Sequence, residues 1–430
     1  MNRNTLLLSF TLAASLSLVG QSTRADAKVR IKAVRALAKQ GATALPQLTP
    51  YLSDSDIDVR VETVRVLVEL GTQHSLDPLV KALADTDPEV QIRATDGLVN
   101  FYLPGYAKTG FGASMRKAGT ALKSKFTDTN DQVIDGYVNV RPEVIAGLGG
   151  VAANGASLSA RANAARAVGI LRGKAAIPDL VKALHSKDDD TMYESLVAMQ
   201  KIRDPSAGPQ ITFLLRDLSE RIQTAAIETT GLLGNKAAAM QVREAFDRAR
   251  SMKVRRAAIE AIAMMPDESL RGFLTAYVAD KDEALRASAS EGLGRLKDAT
   301  TQPLVDSAFK AETKNNPRLA QAFALVALGN RDMSEFAPLR YLVNTLNSAG
   351  YRGVARPYLI ELARDPAVCR AFFPALQQAT KDEKLGLAQV LGASGASDAA
   401  PYLDALSRDA DADVAEEGVR SLRTLRARLP

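Results

Sequence analysis

The sequence predicts an all-α fold, a solenoid of stacked antiparallel helical hairpins. Three observations carry that expectation. Aromatic residues are only 5% of the chain and Trp is absent, while Ala and Leu, good helix formers, are abundant. One helix start is written repeatedly, as SDSDIDVRVE from Ser53, DTDPEVQIRA from Asp85 and ADKDEALRAS from Ala279. The residues that follow it, Val29, Val59, Val90, Ala160, Thr191, Ile222, Val254, Leu285, Pro317 and Val414, recur mostly at 30 to 32 residues. The gaps of 70 and 97 lie near whole multiples of that spacing. A fixed period of this size marks a repeat array.

Each repeat justifies two helices. Three residues before each of those ten anchors stand Asp26, Asp56, Asp87, Ser157, Asp188, Ser219, Ser251, Asp282, Lys314 and Asp411. All but Lys314 carry a side-chain oxygen able to cap free N–H groups at a helix start. Pro88 takes the first helical position, where its missing N–H costs nothing. Positions four, eight and eleven after the anchor are mostly small or apolar, as in Ala258, Ile262 and Met265 or Ala289, Leu293 and Leu296, and fall on one helical face. Gly41, Gly71, Gly234 and Gly329 follow, where a left-handed helix end is wanted. This second helix of each repeat is helix B. A helix A precedes it, opening near a Pro: PLVKAL at Pro78, PDLVKAL at Pro178, PQITFLL at Pro209, and late in the chain PYLIELARD at Pro357 and PYLDALSRD at Pro401. One hairpin cannot bury its own apolar face, so neighbours must stack, about a dozen in file.

The stretch LVKALADTDPEVQIRATDGL resembles a HEAT repeat of the short bacterial HEAT-like kind, also known from phycobilisome (PBS) lyases. The motif is Pro-x-Leu in helix A, an Asp-rich turn, then Val-Arg-x-x-Ala-x-x-x-Leu in helix B, and it covers about two thirds of the chain after its N-terminal segment. The resemblance implies a right-handed superhelix whose B helices line the concave face. It also implies that Arg30, Arg60, Arg161, Arg255, Arg286 and Arg318 bridge to turn acids as a structural ladder. It specifies fold strongly and function weakly: relatives include bilin lyases and DNA glycosylases as well as binding scaffolds.

The N-terminus stands apart. Arg3 precedes an uncharged apolar run from Thr5 to Gly20, and small residues follow at Ala25 and Ala27. That is the layout of a secretory signal at 1–27, cleaved after Ala25 or Ala27, and the run is short for a retained anchor. Cys369 is the only cysteine, so neither an intramolecular disulfide nor a lipidated cysteine beside the signal can form. The expectation is an exported protein, periplasmic or secreted. Repeats then occupy 28–99 and 142–329, with irregular repeats at 330–430.

Between them, 100–141 leaves the register. Asn100 to Phe126 holds Lys108, Arg116, Lys117, Lys123 and Lys125 with no acid, and Phe101, Tyr102, Tyr106, Phe111 and Phe126 in an aromatic-poor chain. Insertions in solenoids map to one face, often the binding face. Two readings stand. Either the segment is an arm in which Tyr102, Tyr106 and Phe111 anchor an acidic partner or membrane surface and Lys108, Arg116 and Lys117 steer it, or it packs its aromatics on the array.

Catalytic constellations are poor. His74 and His185 lie several repeats apart, and no nucleotide-binding loop or zinc spacing occurs. No cofactor or metal is expected. DSDID at Asp54 and KDDD at Lys187 read as turns and caps rather than calcium loops, for neither continues to the Gly and Glu of an EF-hand. Six residues after each anchor the side chain points away from the core stripe. Those positions read Arg35, Arg65, Asp96, Arg166, Val197, Glu228, Glu260, Glu291, Phe323 and Arg420. A nucleic-acid groove would be basic throughout, and this ladder turns acidic midway. The ladder reads either as an ordinary solvated face or as a surface for a partner, and the expectation is a non-catalytic scaffold holding a protein or extended peptide on its concave face. A bilin-lyase-like enzyme and an envelope attachment protein are the alternatives.

Overall fold

The computed structural model describes residues 26–106 and 132–429. Those residues contain helices and turns and no strand. They divide into two compact units, one ending at Ala207 and the other beginning at Gly208. Each is a stack of helical hairpins, so the fold is an all-α solenoid.

In the first unit, α1 spans residues 26–38. The segment after it is broken: 3-10 turns at Gly41–Ala44 and Thr49–Ser53 flank one helical turn at Leu45–Leu48. Then follow α2 (Ile57–Leu70), α3 (Leu76–Ala82), α4 (Pro88–Tyr102), α5 (Pro142–Asn154), α6 (Leu158–Ile170), α7 (Ile177–Ala183) and α8 (Asp189–Ile202). Helices α2, α4, α6 and α8 stack face to face as B helices, and α3, α5 and α7 pack beside them as A helices.

The helix starts form as the caps dictate. Asp56 accepts the N–H groups of Asp58 and Val59, Asp87 those of Glu89 and Val90, and Asp282 those of Ala284 and Leu285. A second acid two residues upstream holds the cap itself, Asp54 for Asp56 and Asp85 for Asp87. Gly71 (φ 55°) and Gly234 (φ 64°) close their helices in the left-handed region that only Gly enters without strain. The inward face is buried at Val59, Thr63 and Leu67 and at Leu285, Ala289 and Leu293.

The Arg ladder is structural. Arg30 donates to Asp54, Arg60 to Asp85 and Arg286 to Glu312, each reaching the turn of the following repeat. Arg161 instead donates to the Gly155 carbonyl. Arg255 and Arg318 depart from the expected acid and lie over aromatic rings, 4.5 Å from the Phe246 centroid and 5.1 Å from that of Phe309.

The second unit holds α9 (Glu220–Leu232), α10 (Ala239–Arg248), α11 (Met252–Met264), α12 (Arg271–Tyr277), α13 (Glu283–Leu296), α14 (Gln302–Ala311), α15 (Asn315–Ala327), α16 (Pro338–Asn344), α17 (Arg352–Leu362), α18 (Pro366–Leu376), α19 (Lys381–Ser394), α20 (Ala400–Leu406) and α21 (Ala412–Arg428). The B stack runs α9, α11, α13, α15, α17, α19, α21.

Two expectations for helix A are corrected. The PQITFLL segment is not α-helical but part of a 3-10 stretch, Pro205–Arg216, with Pro209 inside it and unable to donate a backbone N–H. PYLIELARD is not a helix A. It is the second half of α17, a B helix stacked between α15 and α19, and the repeat's A helix is α16. The near-copy at Pro401 does open a helix A, α20. The two differ in that α17 starts five residues before Pro357 and α20 one residue before Pro401, and Tyr358 is buried where Tyr402 is exposed.

Candidate functional site: the outer ladder of the B helices

The ladder six residues past each anchor is not one solvated face. In the first unit it pairs systematically with the position three past the next anchor. Arg35 donates to Glu62, and Arg166 to Glu194 at 2.8 Å. Asp96 accepts from Asn163 at 3.1 Å. Arg65 turns back on Glu62 and Glu69 in its own helix. Arg65 and Arg35 hold the Glu62 carboxyl below its usual range against the burial that opposes it. Arg166, expected to face solvent, is 3% exposed and Glu194 4%. Phe323, expected on the same outer face, is 1% exposed. Both corrections have one cause: a position that points outward on an isolated hairpin is covered once the next B helix arrives.

In the second unit the pairing lapses. The position facing Glu228 in register is Ala257, that facing Glu260 is Ser288, and that facing Glu291 is Ala320. Glu228 and Glu260 have no hydrogen-bond or ion-pair partner among the described residues, although each has a face open to solvent. Burial between neighbouring helices, with Glu291 on one side and Glu228 on the other, pushes the Glu260 carboxyl up to about 7 against the pull of Arg295. Burial raises Glu228 also, with Lys253 opposing.

Glu291 ends this acidic stripe and is held. It accepts from Arg295 at 3.0 Å and from the Tyr358 hydroxyl. Arg295 also grips Glu361 with two bonds, 2.8 and 2.9 Å, and sits 5.0 Å from the Phe323 ring. Phe323 stacks on Tyr358 with centroids 4.9 Å apart. Burial opposes the Arg295 charge, but Glu361 and Glu291 together hold its guanidinium above the ordinary value. Here α13 and α17 meet over α15, two repeats apart. That contact requires the B side of the second unit to curve inward.

The insertion is tied down at both ends. Helix α4 stacks directly on α6, so the B stack passes the insertion without a gap. The Tyr102 hydroxyl accepts the Arg141 N–H at 3.2 Å. The Ile134 N–H donates to the Ile170 carbonyl at 3.0 Å. The Tyr106 hydroxyl hydrogen-bonds to Arg166, and burial beside Asp96 raises it well above its ordinary value. Tyr102 and Tyr106 thus join the array. Lys108, Phe111, Arg116 and Lys117 lie outside the described residues, as does the secretory segment before Asp26.

Sequence reasoning found the acidic stripe but missed Glu62, Glu194, Arg295, Tyr358 and Glu361. The signal for the first two was available: an acid three past one anchor answers an Arg six past the previous anchor. No such periodicity marks Arg295, Tyr358 or Glu361.

Elsewhere chemistry is sparse. No group of three or more His, Cys, Asp or Glu among the described residues is placed to hold a metal ion. Cys369 is buried, and burial pushes its thiol up, away from nucleophile chemistry. No helix among the described residues is long and apolar enough to cross a membrane.

The comparisons agree with this architecture. A model for HEAT repeats matches residues 17–99 and 239–326, and one for PBS lyase HEAT-like repeats matches 160–186. HEAT and HEAT-like repeats are thus found in both units. No curated protein matches the chain. Similar solved structures include the complex of CpcE and CpcF of phycocyanin lyase from Nostoc, at 17% identity and TM-score 0.32, covering 69% of this chain and 91% of that one. A Kap121p mutant aligns at 13% identity and TM-score 0.38, over 89% of this chain and 45% of its own. Human deoxyhypusine hydroxylase aligns at 17% and 0.28, over 66% and 97%. Superpositions this loose say nothing about ligand or reaction.

Proposed function

We propose that the chain is an exported, non-catalytic scaffold that holds a basic segment of another protein, folded or extended, on the B-helix face of its second unit. One observation carries this reading. Glu228, Glu260 and Glu291 stand on successive B helices, and among the described residues the first two have no ion-pair partner and feel only the through-space pull of Lys253 and Arg295, whereas the first unit answers three of its four ladder charges from the next repeat. Carboxylates that repel one another and are partly desolvated gain most from an incoming Lys or Arg, which restores their missing counter-charge. Export rests on the sequence of residues 1–27. Cleavage after Ala25 leaves α1 whole, while cleavage after Ala27 would remove a residue that is 3% exposed in the core. The intact mass of the protein recovered from culture shows which bond is cut, and a full-length cytoplasmic product would overturn export.

The binding test is a crosslinking pull-down from the cell envelope with the wild type and the Glu228→Gln/Glu260→Gln double variant. The wild type should capture a partner through a Lys- or Arg-rich segment, less so at high salt. The double variant should lose it. Equal capture by both would overturn the reading.

A further inference from the structure

Among the described residues most charged bridges lie within one helix or join neighbouring repeats, and one set in the second unit reaches further. Arg30 to Asp54, Arg60 to Asp85, Arg256 to Asp282 and Arg286 to Glu312 each span one repeat, 24 to 26 residues. Arg295 to Glu361 spans 66 residues and Tyr358 to Glu291 spans 67, both crossing over α15. We propose that these two bridges form a latch that sets the curvature of the second unit, and that the latch yields when a cationic group of a partner engages Glu291. The coupling to a partner rests on the reading of the acidic stripe given above.

The argument is geometric. A one-repeat bridge fixes the angle between two adjacent hairpins. A bridge from one repeat to the next but one fixes the sum of two such angles, and therefore how far the B face closes. The helix crossed, α15, presents Phe323 to the latch, and Tyr358 and Arg295 cover its ring. Opening the latch would expose that ring, so closure is favoured while Arg295 and Tyr358 keep their acceptors. Glu291 serves both clamps, accepting from Arg295 and from Tyr358, and it is also the last carboxylate of the stripe. A partner ammonium or guanidinium that takes Glu291 competes with both donors at once. Arg295 then keeps the Ala263 carbonyl, at 3.3 Å, and Glu361, whose side chain is 35% exposed and the most solvated member of the set. A ligand shifts a conformational equilibrium only by binding one state better, and Glu291 gives a cationic ligand that preference, since it is free to pair only when the latch is open.

The test uses the full chain with Cys369→Ser and spin labels on cysteines at Asp247 and Arg423, both exposed and on opposite sides of the latch. Pulsed dipolar spectroscopy reads the distance between them. Arg295→Met should lengthen and broaden the distribution by a few ångström, and Tyr358→Phe, which removes only the hydroxyl, should do so partially. Far-UV circular dichroism checks that helicity is kept, and Tyr358→Phe serves if Arg295→Met does not fold. A wild-type distribution in the folded variants would overturn the latch. A hexalysine peptide should move the wild type toward the Arg295→Met distribution and leave Arg295→Met where it is. Calorimetric binding of hexalysine without any change in distance would overturn the coupling. Absence of hexalysine binding would overturn the acidic-stripe reading, and the variants alone would then decide the latch.

Discussion

The Arg166–Glu194 pair shows what neighbouring helices do to a single charge. Each side chain is nearly sealed from water, so each depends on the other for its counter-charge. Arg166→Ala should destabilise the protein by about 3–5 kcal/mol in urea unfolding, because Glu194 is left buried and unpaired. Replacing both, with Arg166→Met and Glu194→Leu, should recover most of that loss. A double variant no more stable than Arg166→Ala would show that the loss comes from packing or from the bond to Tyr106. Glu260 makes the opposite case, a charge the fold resists. Its carboxyl is raised in the folded chain, to about 7, so between the ordinary carboxylate range and neutrality the native state holds more proton than the unfolded chain. Stability contributed here is present at low pH and falls as pH rises through that window. Glu260→Gln should therefore raise the melting temperature slightly at pH 8 and leave it unchanged near pH 4. A rise of equal size at both pH values would contradict the charge explanation.

Among helices, the B stack depends on a close approach that recurs with the period. A Cβ added at Gly169 would lie 2.7 Å from the Ala198 Cα, one at Gly231 2.5 Å from that of Ala261, and one at Gly294 2.6 Å from that of Ala324. In each case the Gly stands nine past its anchor and faces a small residue seven past the next. At Gly292, opposite Ala263, the roles are exchanged. Propensity alone would favour Ala at a helical glycine, by up to about 1 kcal/mol. Here the added methyl would meet backbone, which cannot step aside. Gly294→Ala should instead destabilise by about 1–3 kcal/mol in denaturant unfolding, the usual cost of overpacking. A stabilised Gly294→Ala would mean that α13 and α15 separate without strain. Such glycines were visible in the sequence, but their partners were not, since the pairing joins residues about 30 apart that share no motif.

For the whole molecule, stability is close to a sum over repeats and their interfaces. Leu293 is fully buried on α13, and Asp there would place an unpaired charge in the core of one repeat. Hydrogen exchange on Leu293→Asp should show lost protection in α13 and the repeats touching it, α11–α12 and α14–α15, with α2–α4 protected as in the wild type. Uniform loss along the chain would show a single cooperative core instead.

The period, the Asp caps and the two-helix repeat were legible in the sequence, because capping and amphipathic burial are local: Asp87 caps a helix whatever lies beyond it. The turn ladder of Arg30, Arg60 and Arg286 was legible through its resemblance to known repeats. The acidic stripe was visible too, as Glu228, Glu260 and Glu291 one period apart. Only the tertiary structure decided which ladder charges are answered, that PYLIELARD lies in a B helix, and that Arg295, Tyr358 and Glu361 close over α15. Those outcomes depend on curvature, which accumulates over several repeats, and no single repeat's residues encode how its neighbours' neighbours will meet.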